Sequence, residues 1–194
     1  MNGFSDGKAI AAGIARELSG PLGNRIREIA FQDSPFLDIM PEDQVRECAE
    51  LVLQGYAAGL RADSITEQVS QFCPSLDEKT VTLHVRAQVN LSGFARIQAK
   101  AENRGQPLYV WKSVRDERSS PDHIAMHGVV CRWEEKPAPD YGRKPFHPGC
   151  AIGCRCRAQP VLDLEDIQYP ARVWVSGKIV EIPDEYTLCK TLSL

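Results

Sequence analysis

Long apolar runs are missing from this chain. No stretch approaches the twenty or so residues that a membrane-spanning helix needs, so no span is expected. The segment from Met1 to Lys8 has no basic region followed by an apolar one, so no secretory signal is expected there. A strong charge of either sign is also lacking. The formal net charge is -3, which gives no global reason to expect a nucleic acid or an acidic partner. There is no internal repeat, no low-complexity tract and no C-x2-C pair of the kind found in standard zinc fingers. What the chain does have is 194 residues, 43% of them apolar, enough for one domain with a sizeable core or for a domain with a helical arm. Its seven cysteines are an odd number. Without a secretory signal, free thiols or a metal site outweigh a disulfide framework.

The N-terminal half reads as helical. Ala9, Ile10, Ile14, Ala15 and Leu18 recur at helical spacing, and the segment Gly20-Pro21-Leu22-Gly23 stops them. A second short helical turn is expected from Arg25 to Phe31. These first 39 residues read as an arm that packs or meets a partner subunit. From Pro41 to Leu60, Val45, Cys48, Val52, Tyr56 and Leu60 step along one face, with Glu42 and Asp43 at the positive end of the dipole. Cys48 on that face reads as a small core residue. Two capping-box spacings, Ser64 to Glu67 and Ser75 to Glu78, predict helices over about 64–72 and 76–103, separated by Cys73-Pro74. The longer one is expected to break near Asn90 to Gly93.

The composition changes at Arg104-Gly105-Gln106-Pro107. Leu108 to Val114 and Val129 to Trp133 carry the residues of strands. Val173-Trp174-Val175 and Ile179 to Ile182, joined through Ser176-Gly177-Lys178, predict a β-hairpin. Pro183 and Asp184 would open a last short helix. The fold class expected is α+β, a helical N-terminal half on a small β-containing C-terminal unit.

Candidate chemistry is concentrated between Tyr109 and Cys156, which holds three of the four histidines and four of the seven cysteines. His123 and His127 are four apart, and His147, Cys150, Cys154 and Cys156 follow. Zinc selects thiolate and imidazole in close pairs, so these are candidate metal ligands; buried thiols and hydrogen-bonded histidines are the other reading of the same residues. Cys131 reads as core. A nucleophilic reading, a Cys with His123 oriented by Asp116 or Asp122, finds no spacing that singles out one pair. From Arg104 to Arg157 there are ten Lys/Arg against six Asp/Glu, which allows a DNA or phosphate contact but fits a solvated surface as well.

Trp111, Asp116-Glu117-Arg118, His123, Gly128, His147-Pro148 and Cys154-Arg155-Cys156 stand in an order that resembles the phage Mu F-type head-morphogenesis family. The resemblance covers about residues 60–165. Several such proteins carry D-x-R-T-C-x-x-C where this chain has Asp116 to His123, so Ser120 and His123 replace the two cysteines. An exchange of Cys for His is what a metal ligand tolerates, so the resemblance favours His123, His147, Cys154 and Cys156 as ligands of a zinc ion, with Cys150 and His127 in reserve. The family's R-T-E triplet corresponds here to Arg86-Ala87-Gln88, without the acid, and Cys150 to Gly153 looks inserted before C-R-C.

The resemblance implies a minor head protein of capsid assembly or DNA packaging and delivery. Its partners would be portal or capsid proteins, with possible DNA contact, and its place the virion or the bacterial host cytoplasm, from a phage or prophage. The chain is expected to divide into an N-terminal helical region (1–60), a domain like that of the head-morphogenesis family (61–168) and a C-terminal β-hairpin and tail (169–194). An alternative is a phage-derived toxin or effector enzyme acting on nucleic acid or a nucleotide, with Asp116, Arg118 and His123 as the candidate catalytic set. In either case Asp116 and Arg118 are expected to pair, or to bond the backbone of their turn.

Overall fold

The computed structural model describes residues 3–140 and 144–194. The chain forms two compact units. One comprises residues 1–100 with 150–153, the other 101–149 with 154–194. Among the described residues there are seven α-helices and one five-stranded sheet, so the expected α+β class is the one observed.

In the first unit, α1 (Gly3–Leu18) and α2 (Pro21–Gln32) are separated by only two residues. Proline at the first position of α2 stops one helix and starts the next, so the second helix begins four residues earlier than Arg25. Gly23 permits that tight junction: a Cβ there would sit 2.1 Å from the Leu18 carbonyl oxygen. A 3-10 turn (Pro35–Asp38) precedes α3 (Glu42–Ala57), α4 (Ala62–Ser70) and the long α5 (Glu78–Glu102). Neither capping box forms. Arg61 stands at the α4 N-cap without a side-chain bond, and it is Asp77, not Ser75, whose carboxylate accepts the Thr80 N–H at 3.0 Å, because a carboxylate at that place outcompetes a hydroxyl. α5 runs through Asn90 to Gly93 without a break. One glycine costs a helix about 1 kcal/mol, too little to interrupt one whose buried face carries Val81, Val85, Leu91 and Phe94.

Phe36, Val45, Cys48, Val52, Ile65, Val69, Cys73, Val81 and Val85 form the core of this unit. Gln88 is fully buried and satisfied at both ends: its oxygen accepts from Ser34 Oγ at 2.7 Å, and its amide donates to the Ala30 carbonyl at 3.0 Å. A carboxylate could not make the second bond, so glutamine here serves as a neutral pin between α5 and the end of α2.

In the second unit the sheet order is β3-β1-β2-β4-β5, from β1 (Leu108–Lys112), β2 (Val130–Arg132), β3 (Arg157–Pro160), β4 (Ala171–Val175) and β5 (Lys178–Ile182). The hairpin β4–β5 forms as expected, and its turn places Ser176 and Gly177 at φ +48° and +87°, the two positive values of a tight hairpin. β3 is an addition to the sequence reading. It lies antiparallel to β1, with Trp111 opposite Ala158 and Lys112 opposite Arg157. The short α6 (Pro121–Ala125) links β1 to β2, and α7 (Glu185–Leu192) is capped by Asp184, which accepts the Thr187 N–H at 2.7 Å. Leu108, Val130, Val161, Val173, Ile182 and Leu188 fill this unit's core. No helix among the described residues is long and apolar enough to cross a membrane.

Candidate metal centre

The β1–β3 register explains how a spacing-poor cluster becomes a site. Because Lys112 faces Arg157, the C-R-C that leads into β3 arrives at the end of β1, beside Trp111. The segment after β1 then turns over and returns as α6. Asp116 organises that turn: its carboxylate accepts the Arg118 backbone N–H at 3.1 Å and the Ser119 hydroxyl at 3.0 Å. Ser120 caps α6 by accepting the N–H of His123, which fixes the helical turn that carries the imidazole.

His123, Cys154 and Cys156 converge. Their ligating atoms all lie within 4.8 Å of one another, the one such group of three among the described His, Cys, Asp and Glu residues. The His123 Nδ1 is 3.7 Å from the Cys154 sulfur and 3.6 Å from that of Cys156. The opposite ring nitrogen, Nε2, faces Asp140 at 3.1 Å. A carboxylate behind an imidazole fixes the tautomer and the ring plane and raises the basicity of the nitrogen that faces the ligand, the usual support of a metal-bound histidine. The rings of Trp111 and Phe146 flank the imidazole, at 6.2 Å and 5.7 Å between centroids. Both sulfurs are buried, and the His123 side chain is 12% exposed.

The site's charge is arranged around Cys156. Hydrogen bonding from Cys154 and then from His123 pulls the Cys156 thiol well below its ordinary value, while sharing that proton and burial push the Cys154 thiol up. His123 is raised above its ordinary value, chiefly by its bond to Cys156. The Gly149 N–H donates to the Cys154 sulfur at 3.2 Å, and the buried Trp111 indole N–H, which has no hydrogen-bond acceptor, favours the Cys156 thiolate. Gly149 holds φ +88°, and a Cβ on it would lie 2.8 Å from the Cys156 carbonyl oxygen. Only glycine lets the loop close this tightly on C-R-C.

The other candidate residues have different surroundings. His147 is buried between two partners of its own: Tyr109 Oη lies 3.0 Å from its Nδ1, and the other side of the ring bonds the Trp133 backbone. Burial lowers it to about 3, so the ring is neutral. It fastens the returning loop to β1 and is not one of the three converging groups. The Nδ1 of His127 lies 3.2 Å from the Ser113 carbonyl, and Cys150 is buried in the 150–153 turn. Cys131 is core, as expected, and burial pushes its thiol up to about 12.

Asp116 does bond the backbone of its turn, but its guanidinium partner is Arg155 of C-R-C. That pair is bidentate, at 2.6 and 2.5 Å. Arg118 contributes its backbone N–H. The Asp116 carboxylate is held by Arg155, and His123 by two thiols and Asp140. Asp140 was missed by sequence reasoning, since it sits in a Pro-rich loop with no ligand spacing around it.

The profile of the family described as phage Mu protein F like protein matches residues 46–159, and so includes all three converging residues. A curated relative from Haemophilus influenzae, described as an uncharacterized protein, is 27% identical over 112 residues. The match covers 58% of this chain and 24% of the relative, so the chain spans about a quarter of that protein's length. No solved structure matches.

Proposed function

Since the chain belongs to the phage Mu protein F like family, we propose that it acts as a minor head protein in capsid assembly or DNA delivery, engaging portal or capsid proteins, in the virion or the host cytoplasm. The C-terminal unit supplies a metal-clipped module for that role. His123 Nδ1 and the sulfurs of Cys154 and Cys156 would hold zinc. One observation carries the metal reading, the spacing of these atoms. Zinc bonds of about 2.0–2.1 Å to nitrogen and 2.3 Å to sulfur at a tetrahedral angle separate the two ligand atoms by about 3.6 Å. The observed separations of 3.6 and 3.7 Å match that value, and all three ligand atoms lie within 4.8 Å of one another. A bound ion would also offset the clustered thiolate charge and tie the α6 turn, the loop ending at Gly149 and the start of β3 together.

Three protein ligands leave a fourth position for water or another group. That count is what favours a second reading, an effector enzyme acting on nucleic acid or a nucleotide, in which His123, with Asp116 and Arg118 nearby in sequence, would be tested as the catalytic set.

Two experiments test the proposal. Elemental analysis of tag-free protein is expected to find about one zinc per chain, lost in Cys156→Ser; under about a tenth of an equivalent, with an unchanged melting temperature in chelator, overturns the metal. Deletion of the coding sequence from the genome that carries it is expected to cut the yield of DNA-filled infectious particles after induction. An unchanged yield of normal heads, together with growth arrest on expression that His123→Ala relieves, would move the function to the effector reading.

A further inference from the structure

The number of ligands at the metal centre says which ion suits it. His123 Nδ1 and the sulfurs of Cys154 and Cys156 form a group of three, and among the described residues no fourth His, Cys, Asp or Glu atom completes it. The other two histidines of this region are engaged elsewhere. His127 lies against the Ser113 carbonyl at 3.2 Å and His147 against the Tyr109 hydroxyl at 3.0 Å. Asp140 faces the opposite ring nitrogen of His123, Nε2, at 3.1 Å. The donor set is therefore two soft sulfurs and one imidazole. Cys154 and Cys156 are 2% and 6% exposed, and the rings of Trp111 and Phe146 stand 6.2 and 5.7 Å from the imidazole.

Zinc is almost always four-coordinate, so a zinc ion here has to bring water or another donor into a buried site. Copper(I) has the same filled d shell without that need. Thiolate and imidazole are ligands it selects, and three of them complete its shell. Bonds of about 2.0 and 2.3 Å opened to a planar trigonal angle put nitrogen and sulfur about 3.7 Å apart, against about 3.6 Å in a tetrahedron. The observed 3.6 and 3.7 Å admit both shapes, so the ligand count decides between the ions and the separations do not.

We infer that these three atoms form a Cu(I) site, which takes the monovalent ion in preference to zinc and without a fourth ligand. The inference rests on the metal reading above and narrows it to the ion. Charge permits the exchange. Two thiolates with Zn²⁺ sum to zero, and two thiolates with Cu⁺ leave one negative charge. The Gly149 N–H, 3.2 Å from the Cys154 sulfur, is placed to offset that charge. No electron moves: both sulfurs remain thiolates, Cu⁺ enters and Zn²⁺ leaves. Asp140 serves either ion, by holding the ring so that Nδ1 faces the sulfurs.

The test uses the full chain loaded with zinc. It is kept free of oxygen in ascorbate and titrated with Cu(I) supplied as its bicinchoninate complex. One zinc is expected to leave for the first Cu(I) taken up, read with a chromogenic zinc indicator. After desalting, X-ray absorption at the copper edge is expected to find two sulfurs and one nitrogen around copper, and no further ligand. Cys156→Ser should lose this tight equivalent. Cys189→Ser, at the one cysteine that is not buried, should keep it. The absorption spectrum of the wild type decides even where Cys156→Ser fails to fold. Zinc retained beside an excess of Cu(I), a third sulfur or a fourth ligand on copper, or copper lost in Cys189→Ser overturns the inference and leaves the zinc reading in place. Protein that takes up neither ion sinks both. Cu(I) uptake by protein that holds no zinc keeps the inference and removes zinc as the resident ion.

Discussion

Cysteine is used in opposite ways in the two units. Cys48 and Cys73 sit among valines, isoleucine and phenylalanine, where lost hydration keeps them protonated and they pack as small apolar groups. Cys154 and Cys156 are as well buried, but an imidazole, a backbone N–H and an indole N–H are aimed at them. There the proton leaves one sulfur. The comparison teaches that burial alone does not decide what a cysteine does; the polar hydrogens that accompany it into the interior do. It also separates the sources of stability. Both units have an apolar core, but the sheet unit adds a polar cluster that has to be assembled by the turns around it.

The largest expected effect breaks the apolar side of this contrast. Phe36 is fully buried at the centre of the helical core. Phe36→Ala should cost about 3–5 kcal/mol, from lost burial and the cavity left behind. Urea unfolding followed by circular dichroism measures it, and a loss under 1 kcal/mol would mean that the unit is held by something other than this packing. The next effect breaks the polar side. Gly149→Ala meets both a left-handed φ and the Cys156 carbonyl at 2.8 Å, so it should destabilise the sheet unit by about 1–3 kcal/mol. It should also weaken zinc binding, because the loop that donates to Cys154 has to retreat. Competition with a chromogenic chelator checks this, and a variant that binds zinc like the wild type would show that the loop is free to adapt.

The contrast also bears on how far the sequence could be read. α3, α5, β1 and the terminal hairpin were legible because each carries its own period or turn residues, from Val45 to Tyr56 and from Ser176 to Lys178. So was the meeting of His123 with C-R-C, through the family resemblance. β3 was not legible: Arg157-Ala158-Gln159-Pro160 has little strand character and becomes a strand only by pairing with β1. Arg155 as the partner of Asp116, and Asp140 as the support of His123, are likewise consequences of tertiary closure over 39 and 17 residues of sequence. His147 shows the limit from the other side. It has a ligand's chemistry, and in the fold it is a histidine satisfied by a tyrosine and a backbone carbonyl.

Asp140 sharpens the comparison at a smaller scale. If the carboxylate behind His123 fixes its ring and tautomer, Asp140→Asn should keep the shape and lower zinc affinity by about 10-fold or somewhat more. The apolar pair of the helical unit should be unaffected in the same protein, so Cys48 and Cys73 serve as an internal control for thiol reactivity. Equal zinc affinity in wild type and variant would reduce Asp140 to a packing contact.

The smallest expected effect concerns the ion pair that joins the Asp116 turn to C-R-C. Arg155 holds the Asp116 carboxyl well below the usual carboxylate range, with help from Ser119 and the Arg118 N–H. The folded value lies below the unfolded one. The pair's contribution is therefore present in full above the unfolded value of about 3.9, and is lost as pH falls through the folded value. Both side chains are more than a third exposed, at 37% and 35%, so water and salt screen much of the attraction. Asp116→Asn isolates the charge, because an amide oxygen can still accept from the Arg118 N–H and the Ser119 hydroxyl. The variant should melt slightly lower than the wild type at pH 5–7, the two curves should converge as pH approaches 2, and added salt should narrow the gap throughout. Melting curves at several pH values, with and without salt, read this directly. Parallel curves at every pH would mean that the bidentate geometry orients C-R-C without contributing net charge energy, leaving the backbone bonds of Asp116 as its whole effect on the turn.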